Sequence, residues 1–357
     1  MALERDHSFA ACSVVVCTRN RAVELDRCLR SLQGQDYPSF EIIVVDSASS
    51  EELTREVARR NGVRYVLEKR AGLSRARNRG AREAKFDIIA YLDDDAEAQP
   101  GWLRALAEEF CDARVMAATG RILPQQADSE GARIAAAMGI LDRGPARKVV
   151  DGDMPDWIAM TLAGIGSGAN MAFRRDAFFI WSGFDTRLGL GAAIGGAEED
   201  YAFLSLIKRG YRVVYTPAAI VSHPFPETLT LLRRRHLLTV ATSSGAFAFM
   251  LLHERHHRRE ILRYIIAHLR RSRRGVYRRS PEAAAKLAPA WREALAAVAG
   301  LGRFAGCALR RNRQNSMNDA PMCPPRPLED RLRQMSRIEP AAAVVAGKKT
   351  PSCGSIV

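Results

Sequence analysis

The sequence predicts an α/β fold: a mixed, mainly parallel sheet with helices on both faces, followed by a C-terminal helical extension. Three observations predict it. Strand patterns alternate with helix patterns through the first 122 residues. The strands are apolar on both faces, as strands covered on both sides must be. The formal charge of +14 is also unevenly placed: residues 1–232 hold 29 Lys and Arg against 32 Asp and Glu, whereas residues 233–357 hold 25 against 8.

Ser13 to Cys17 is a short apolar strand, after which Leu25, Cys28, Leu29 and Leu32 fall at helical spacing. Phe40 to Asp46 is a second strand, and Glu51 to Arg60 a helix closed by Asn61-Gly62. Val63 to Leu67 is a third strand and Leu73 to Ala84 a third helix. Phe86 to Leu92 is a fourth strand, with Pro100 opening a fourth helix. Residues 124–160 carry no pattern strong enough to assign. Gly164 to Phe173 then enters a strand, Gly183 to Gly196 is a glycine-rich loop, and Glu198 to Arg209 is an amphipathic helix. Tyr211 to Tyr215 and Ala218 to Val221 are the last two strands, ending at His223-Pro224. Beyond Pro226 the chain reads helical to residue 300, and after 311 it turns polar and proline-bearing. The expected organisation is a catalytic domain over 1–225, a basic amphipathic extension over 226–310 and a disordered tail over 311–357.

With 357 residues, 47% hydrophobic and 26% charged, the composition excludes a wholly disordered chain, a disulfide-built mini-protein and a collagen-like fibre. Seven scattered cysteines without a C-x-x-C pair fit a reduced, cytoplasmic chain. No uninterrupted apolar run reaches the ~18–20 residues of a membrane span; Leu237 to Leu252 is broken by Thr239, Thr242, Ser243, Ser244 and Gly245. Phe9 to Cys17 mimics a signal peptide, but Glu4 and Asp6 precede it and Thr18-Arg-Asn-Arg21 replaces a cleavage site, so a first strand is expected.

Parallel sheets bind ligands beyond the carboxyl ends of their strands. The polar residues ending these strands are Thr18, Arg19, Asn20, Asp46 and Asp93-Asp94-Asp95, which therefore gather at one rim. Three adjacent carboxylates repel one another unless they are solvated or a divalent cation sits among them. Mg²⁺ and Mn²⁺ favour carboxylate oxygen and share their shell with substrate phosphates. The plain alternative is a solvated acidic turn ahead of the Pro100 helix.

Four blocks in order, Ser13-Val-Val-Val-Cys-Thr-Arg-Asn20, Glu41-Ile-Ile-Val-Val-Asp46, Gly72-Leu-Ser-Arg-Ala-Arg-Asn-Arg-Gly80 and Ala90-Tyr-Leu-Asp-Asp-Asp95, resemble the family 2 glycosyltransferases. Gly168 to Arg174, Gly183-Phe-Asp185 and Glu198 to Leu204 extend the resemblance over residues 11–225. It implies a GT-A-like (Rossmann-like) fold and an inverting, Mn²⁺- or Mg²⁺-dependent transfer of one sugar from a nucleotide-sugar donor to an acceptor hydroxyl. By that resemblance Asp46 would bond the nucleotide base, with Thr18, Arg19 and Asn20 in the same pocket. Arg77 and Asn78 would face the nucleotide and its phosphates. Asp93 and Asp95 fall on the acidic positions of the D-x-D motif, with Asp95 the direct metal ligand and Asp94 near the ribose. His223 matches a histidine that completes metal coordination; its plain alternative is a strand-capping histidine. Asp200 would be the base, with Glu199 second, and Gly183, Phe184 and Asp185 would border the acceptor or donor-sugar pocket. Gly189 to Gly196 would be a mobile loop over the site.

The chemistry suits those roles. A leaving diphosphate needs its charge neutralised, and an acceptor hydroxyl needs a carboxylate to take its proton. Acids at the start of the Glu198 helix are stabilised there by its dipole, which is also why such acids are often mere caps. Two departures stand out: Ser47-Ala-Ser-Ser50 lacks the glycine often found after Asp46, leaving base specificity open, and the Q-x-x-R-W motif of processive synthases is absent, which favours single addition. A non-catalytic binder of anionic membrane or nucleic acid on a degenerate core, and a nucleotidyltransferase, are the rival readings.

Two motifs mislead. His253-Glu-Arg-His-His257 matches H-E-x-x-H, but it lies in a cationic stretch without an obvious third ligand. Gly164-Ile-Gly-Ser-Gly168 lacks the strand–turn–helix setting of a dinucleotide fingerprint. Residues 233–279 hold 13 arginines and five histidines against Glu254 and Glu260, interleaved with apolar residues. That pattern fits peripheral docking on an anionic membrane, at the cytoplasmic face of a bacterial inner membrane with a lipid-linked or cell-envelope glycan acceptor, or packing on the core. Sparse aromatics and the lack of a recognition motif argue against nucleic acid.

Overall fold

Residues 10–138, 142–273 and 287–314 are described by the computed structural model. Strands β1 (Cys12–Thr18), β2 (Phe40–Ser47), β3 (Arg64–Glu68) and β4 (Ile88–Asp93) alternate with helices α1 (Ala22–Gln33), α2 (Leu53–Arg60) and α3 (Leu73–Glu83). The four strands run parallel in the order β3-β2-β1-β4. Thr18 stands opposite Asp46 and Cys17 opposite Asp93, so the polar strand ends share one level. α1 exists because Leu25, Cys28, Leu29 and Leu32 recur on one face, and all four are fully buried against the sheet. Each such leucine contributes ~1.5–3 kcal/mol of apolar burial. On the other side α3 lies so close to β1 that a Cβ at Gly80 would sit 2.4 Å from Val15 Cγ1.

The second half completes the sheet. It supplies β5 (Glu97–Ala98), α4 (Trp102–Glu108), β6 (Val115–Pro124), α5 (Glu130–Ala137), β7 (Lys148–Val150) and α6 (Trp157–Leu162). β8 (Asn170–Arg174), α7 (Ala177–Trp181), α8 (Glu198–Ile207) and β9 (Arg212–His223) follow. β8 inserts antiparallel between β4 and β6, β9 runs parallel to β6, and β5 and β7 pair antiparallel with β9. The sheet is therefore mixed, with its parallel half at the N-terminal side.

The two last strands expected around residues 211–221 are one strand with a bulge. Gly120 pairs with Thr216 but Arg121 with Ile220, so three residues of β9 loop out. Pro217 lies in that loop, where its missing N–H costs no ladder bond. Asn170, fully buried, fills the gap: its Nδ2 donates to Ala219 O at 2.9 Å and Arg121 O at 3.0 Å, and its Oδ1 accepts from Trp102 Nε1 at 2.8 Å. The unassigned stretch 124–160 contains α5, β7 and α6, all too short to show a period.

Among the described residues three helices follow: α9 (Leu229–His253), α10 (Arg258–Arg273) and α11 (Ala290–Gln314). α9 packs on α11, and α10 on α6 and α9. Ala246, Phe249, Met250 and Ile261 form an apolar cluster with Ile158, Leu188 and Ile194, so part of this extension packs on the preceding units. By length and composition α9 could cross a membrane, with a window of mean hydropathy 1.2. The helix expected to stop at 300 continues to Gln314; the expected tail from 315 onward lies outside the described residues. The H-E-x-x-H match is not on one helix, because α9 ends at His253 and Arg255–His257 is a separate 3-10 turn. Its glutamate is buried and pairs with Lys208 at 2.6 Å.

Candidate active site

The turn after β4 leads into β5, which pairs with the end of β9, and so brings Asp93, Asp95 and His223 together, their ligand atoms within 4.8 Å of one another. His223 Nδ1 lies 2.8 Å from Pro224 O. A carbonyl only accepts, so Nδ1 carries a proton, and whenever the ring is neutral it presents its lone pair at Nε2. Nε2 stands 3.2 Å from Asp95 Oδ1 and 4.0 Å from Asp93 Oδ2. Asp95 Oδ1 is nevertheless buried without a hydrogen bond among the described residues. An orphaned carboxylate oxygen beside a second carboxylate and an imidazole is the donor set a divalent cation takes, so these residues fit one.

The charges around this cluster are balanced unequally. Burial works against an ionised Asp95, yet His223 and Arg21 hold it down to about 2. For His223 burial opposes the charged ring, but Asp95 and Asp93 outweigh it and raise its pKa. Asp94 turns inward, accepting from Thr18 Oγ1 at 2.7 Å and Arg21 Nη1 at 3.0 Å, and burial pushes it up to about 6. Asp94 was expected near a ribose and Thr18 in the base pocket; in this structure they bond each other beneath the rim. Arg21, which also reaches Asp95 at 2.8 Å, was not singled out from the sequence. Its nearness to Thr18 in the chain was the only available signal.

Arg77 corrects a second expectation. Its guanidinium does not face the open rim but is buried, 3% exposed, where it bridges Glu198 Oε1 at 2.6 Å, Asp93 at 3.3 Å and Gly168 O at 2.9 Å. It ties the acidic end of β4 to the first turn of α8. Glu198, also missed, is buried; burial and the neighbouring Glu199 push its carboxyl up, against the pull of Arg77. Glu199 accepts from Gly168 N at 3.2 Å. Asp200 is half-buried and has no hydrogen bond or ion pair among the described residues. Burial first, then Glu199, push it up to about 7, with Arg143 opposing. A carboxyl poised near neutrality suits a base.

The residues expected around the nucleotide base form a prebuilt turn. Asp46, 2% exposed, accepts from Ser49 N at 2.8 Å and from the Tyr65 hydroxyl at 2.9 Å. Asn20, at φ 56°, accepts from Ser50 N at 2.9 Å, so the loops after β1 and β2 are stitched together. Arg19 beside it is exposed.

The 183–185 segment departs most from expectation. Phe184 is a core side chain, 2% exposed, edge-on to Tyr91 and Phe173. Asn78 does not reach outward to phosphates; its Nδ2 donates to Phe184 O and its Oδ1 accepts from Phe184 N, both at 2.8 Å. Gly183 sits at φ 81°, and a Cβ there would come 2.7 Å from Asn78 Oδ1. Asp185 pairs with Arg187. These contacts pin the loop leading to α8. Further along, Leu188 O accepts from Ser74 Oγ at 2.8 Å and Leu190 O from Leu73 N at 2.9 Å.

Residues 13–179 match the family model described as glycosyl transferase family 2. The chain is similar to the glucosyl-dolichyl phosphate glucuronosyltransferase of Haloferax volcanii, 26% identical over 231 residues, covering 61% of this chain and 70% of that one. It is also similar to the pre-mycofactocin glycosyltransferase of Mycobacterium tuberculosis, 29% identical over 215 residues, covering 59% of this chain but 42% of the relative. Among solved structures it resembles the mannosyltransferase PcManGT from Pyrobaculum calidifontis, solved in complex with GDP-Man and Mn²⁺. That match has a TM-score of 0.51 at 18% identity and covers 92% of this chain and 80% of the neighbour. The chain therefore has a GT-A-like fold, and its segment from β1 into α7 matches the family 2 glycosyltransferases.

Proposed function

We propose that the chain transfers a single sugar from a nucleotide-sugar donor to an acceptor hydroxyl, with inversion and with Mn²⁺ or Mg²⁺ as cofactor. The observation that carries this reading is the Asp93–Asp95–His223 cluster with its orphaned Asp95 Oδ1. Mn²⁺ in the solved mannosyltransferase complex agrees with it. Asp93, Asp95 and His223 would hold the cation, which supplies charge neutralisation to the leaving diphosphate. The Asp46 turn and the Asn20–Ser50 stitch form the floor for the nucleotide. Asp200 takes the acceptor proton as the hydroxyl attacks the anomeric carbon from the face opposite the diphosphate, which gives inversion. Glu199, held by Gly168 N, is the second candidate for base.

A lipid-linked acceptor at an anionic membrane face is the finer part of the proposal. The glucuronosyltransferase relative is named for a dolichyl phosphate-linked substrate. α10 exposes Leu262, Ile266 and Leu269 at i, i+4, i+7, and α11 exposes Trp291, Leu295 and Val298 at the same spacing. Exposed Arg259, Arg263, Arg270 and Arg292 accompany them, and near anionic lipid each basic residue contributes ~1 kcal/mol. Flotation with anionic vesicles tests this part; failure to float would remove it without touching the catalytic reading.

The primary test is thermal stability with Mn²⁺ and UDP, GDP or dTDP, for wild type and Asp95→Ala. A ligand at ~100 times its Kd stabilises by ~2.7 kcal/mol. The expected result is a metal-dependent shift with one nucleotide, lost in Asp95→Ala. Absence of any shift in folded wild type would overturn the proposal.

A further inference from the structure

A cavity of about 350 Å³ lies beside β7 and α6, away from the Asp93–Asp95–His223 cluster. Val150, Met160, Ala163 and Ile165 give it an apolar floor, and Arg143 and Lys148 line it with positive charge. The acid that also lines it, Asp142, is engaged elsewhere: its two oxygens accept from Arg121 Nε and Nη2, each at 3.0 Å. Arg143 lies flat against the backbone of Gly164, where a Cβ would meet Nη2 at 2.3 Å. Its Nε is buried without a hydrogen bond among the described residues. A guanidinium that lines a cavity beside a lysine, with no side-chain hydrogen bond or ion pair among the described residues, is suited to bind an anion through its Nη groups. The loop that carries it is held in place, because Lys148 Nζ donates to Arg143 O at 2.8 Å and the Tyr215 hydroxyl donates to Gly144 O at 2.6 Å.

The cavity also borders the chemistry. Its wall, Gly164-Ile165, runs on to Gly168, whose N–H donates to Glu199 and whose carbonyl accepts from Arg77. α6 packs on α8, which begins with the acids. Arg143 is the positive charge that acts on Asp200.

We propose that this cavity is the acceptor subsite and that it takes a phosphate-bearing acceptor. Arg143 and Lys148 hold the phosphate, the apolar floor holds the part of the acceptor next to it, and the hydroxyl is presented to Asp200. The inference rests on Asp200 as the base. In the transfer, the acceptor oxygen bonds to the anomeric carbon and its proton passes to Asp200. The anomeric C–O bond to the nucleoside diphosphate breaks, and the diphosphate leaves with that electron pair. The phosphate in the cavity is unchanged; it orients the acceptor.

The test is calorimetric titration of the full chain, in EDTA to keep cations from the Asp93–Asp95 cluster, with farnesyl phosphate, glucose 1-phosphate and neutral octyl glucoside. Both phosphates are expected to bind more tightly than octyl glucoside. Tighter binding of farnesyl phosphate assigns the phosphate to a lipid carrier, and tighter binding of glucose 1-phosphate assigns it to a sugar phosphate. Arg143→Gln removes charge-assisted hydrogen bonds and should weaken phosphate binding by about tenfold to a hundredfold, with a smaller loss in Lys148→Gln. Ala163→Leu, which fills the floor and keeps both charges, should weaken it too and guards against misfolding of Arg143→Gln. Equal binding of octyl glucoside, or unchanged phosphate affinity in folded Arg143→Gln, would overturn the inference. The Mn²⁺- and nucleotide-dependent thermal shift should survive in Arg143→Gln; its absence from wild type would strike the proposed function instead.

Discussion

Replacing Arg77 by Met keeps most of the side chain's bulk and removes its charge. In the native structure that charge is 3% exposed and lies 2.6 Å from Glu198, itself 5% exposed, and 3.3 Å from Asp93. Without it, Glu198, once ionised at alkaline pH, is a buried carboxylate next to Glu199 with no counter-charge, and at any pH Gly168 O loses its donor. Breaking a buried pair from one side costs ~3–5 kcal/mol. For a domain of 150–250 residues 1 kcal/mol lowers Tm by ~2–4 °C, so a fall of roughly 6–20 °C is expected. The double variant Arg77→Met/Glu198→Gln should recover much of the loss, because the stranded charge is then gone.

The pH dependence checks the cause. Burial raises the folded pKa of Glu198 from 4.5 to about 8. A carboxyl raised on folding contributes stability that is complete below its unfolded pKa and is lost as pH rises through the folded value. Removing Arg77 raises the folded value further and so extends that loss above pH 8; the destabilisation by Arg77→Met should therefore be larger at pH 9.5 than at pH 7. Urea unfolding followed by tryptophan fluorescence at both pH values reads this directly. Arg77→Met within about 1 kcal/mol of wild type at pH 9.5, a value well under the cost of a stranded buried charge, would refute the reasoning; so would a double variant no more stable than the single one.

Asp200→Asn should lower kcat by ~10²–10⁴ while leaving nucleotide binding intact. Because the base works deprotonated, wild-type activity should rise with pH through about 7, the value to which burial pushes Asp200; a flat profile over pH 5 to 8 would exclude that assignment. Asn170→Ala leaves Trp102 Nε1 and two carbonyls unpaired at the β9 bulge, each worth ~1–3 kcal/mol. Its cost should appear as a loss of thermal stability, and a melt equal to wild type would mean the bulge does not depend on this amide.

The rim was legible because strand ends are legible. β1, β2 and β4 are apolar runs that each stop at polar residues, and parallel pairing then forces Thr18, Asp46 and Asp93 to one level. What pattern could not supply was the partner chosen across a long sequence gap. Arg77 and Asn78 sit in an arginine-rich helix turn that looks suited to phosphate, yet their partners Glu198 and Phe184 are 121 and 106 residues away and turn both side chains inward. Phe184 follows a glycine and precedes an acid, a loop-like setting that hides its place among Tyr91, Phe173 and Trp181. β9 looked like two strands because Pro217 interrupts it, and only the amide of Asn170 makes the bulged strand continuous.

Six acids meet between the ends of β4 and the start of α8, and most are answered by the chain itself. Asp94 has Thr18 and Arg21, Asp93 and Glu198 share Arg77, and Glu199 has Gly168 N. Glu198 keeps a buried Oε2 without a partner despite Arg77, as Asp95 does through Oδ1; outside the reach of Arg77 two acids remain, Asp95 and Asp200, the latter without a hydrogen bond or ion pair among the described residues. A folded chain rarely leaves a buried polar oxygen without a partner, since each costs ~1–3 kcal/mol. The two that remain are also held differently, Asp95 ionised by His223 and Arg21, Asp200 pushed toward neutrality by burial and Glu199. Two carboxyls driven apart in this way suit different tasks: a permanently charged one to hold a cation, and one near neutrality to receive a proton. Arg77 stands between the two groups and contacts neither, so it can fix their separation without neutralising either. On the proposed function Asp95 and Asp200 carry the chemistry, Asp93 serves both the cation cluster and the Arg77 bridge, and Arg77 with Glu198 is scaffold.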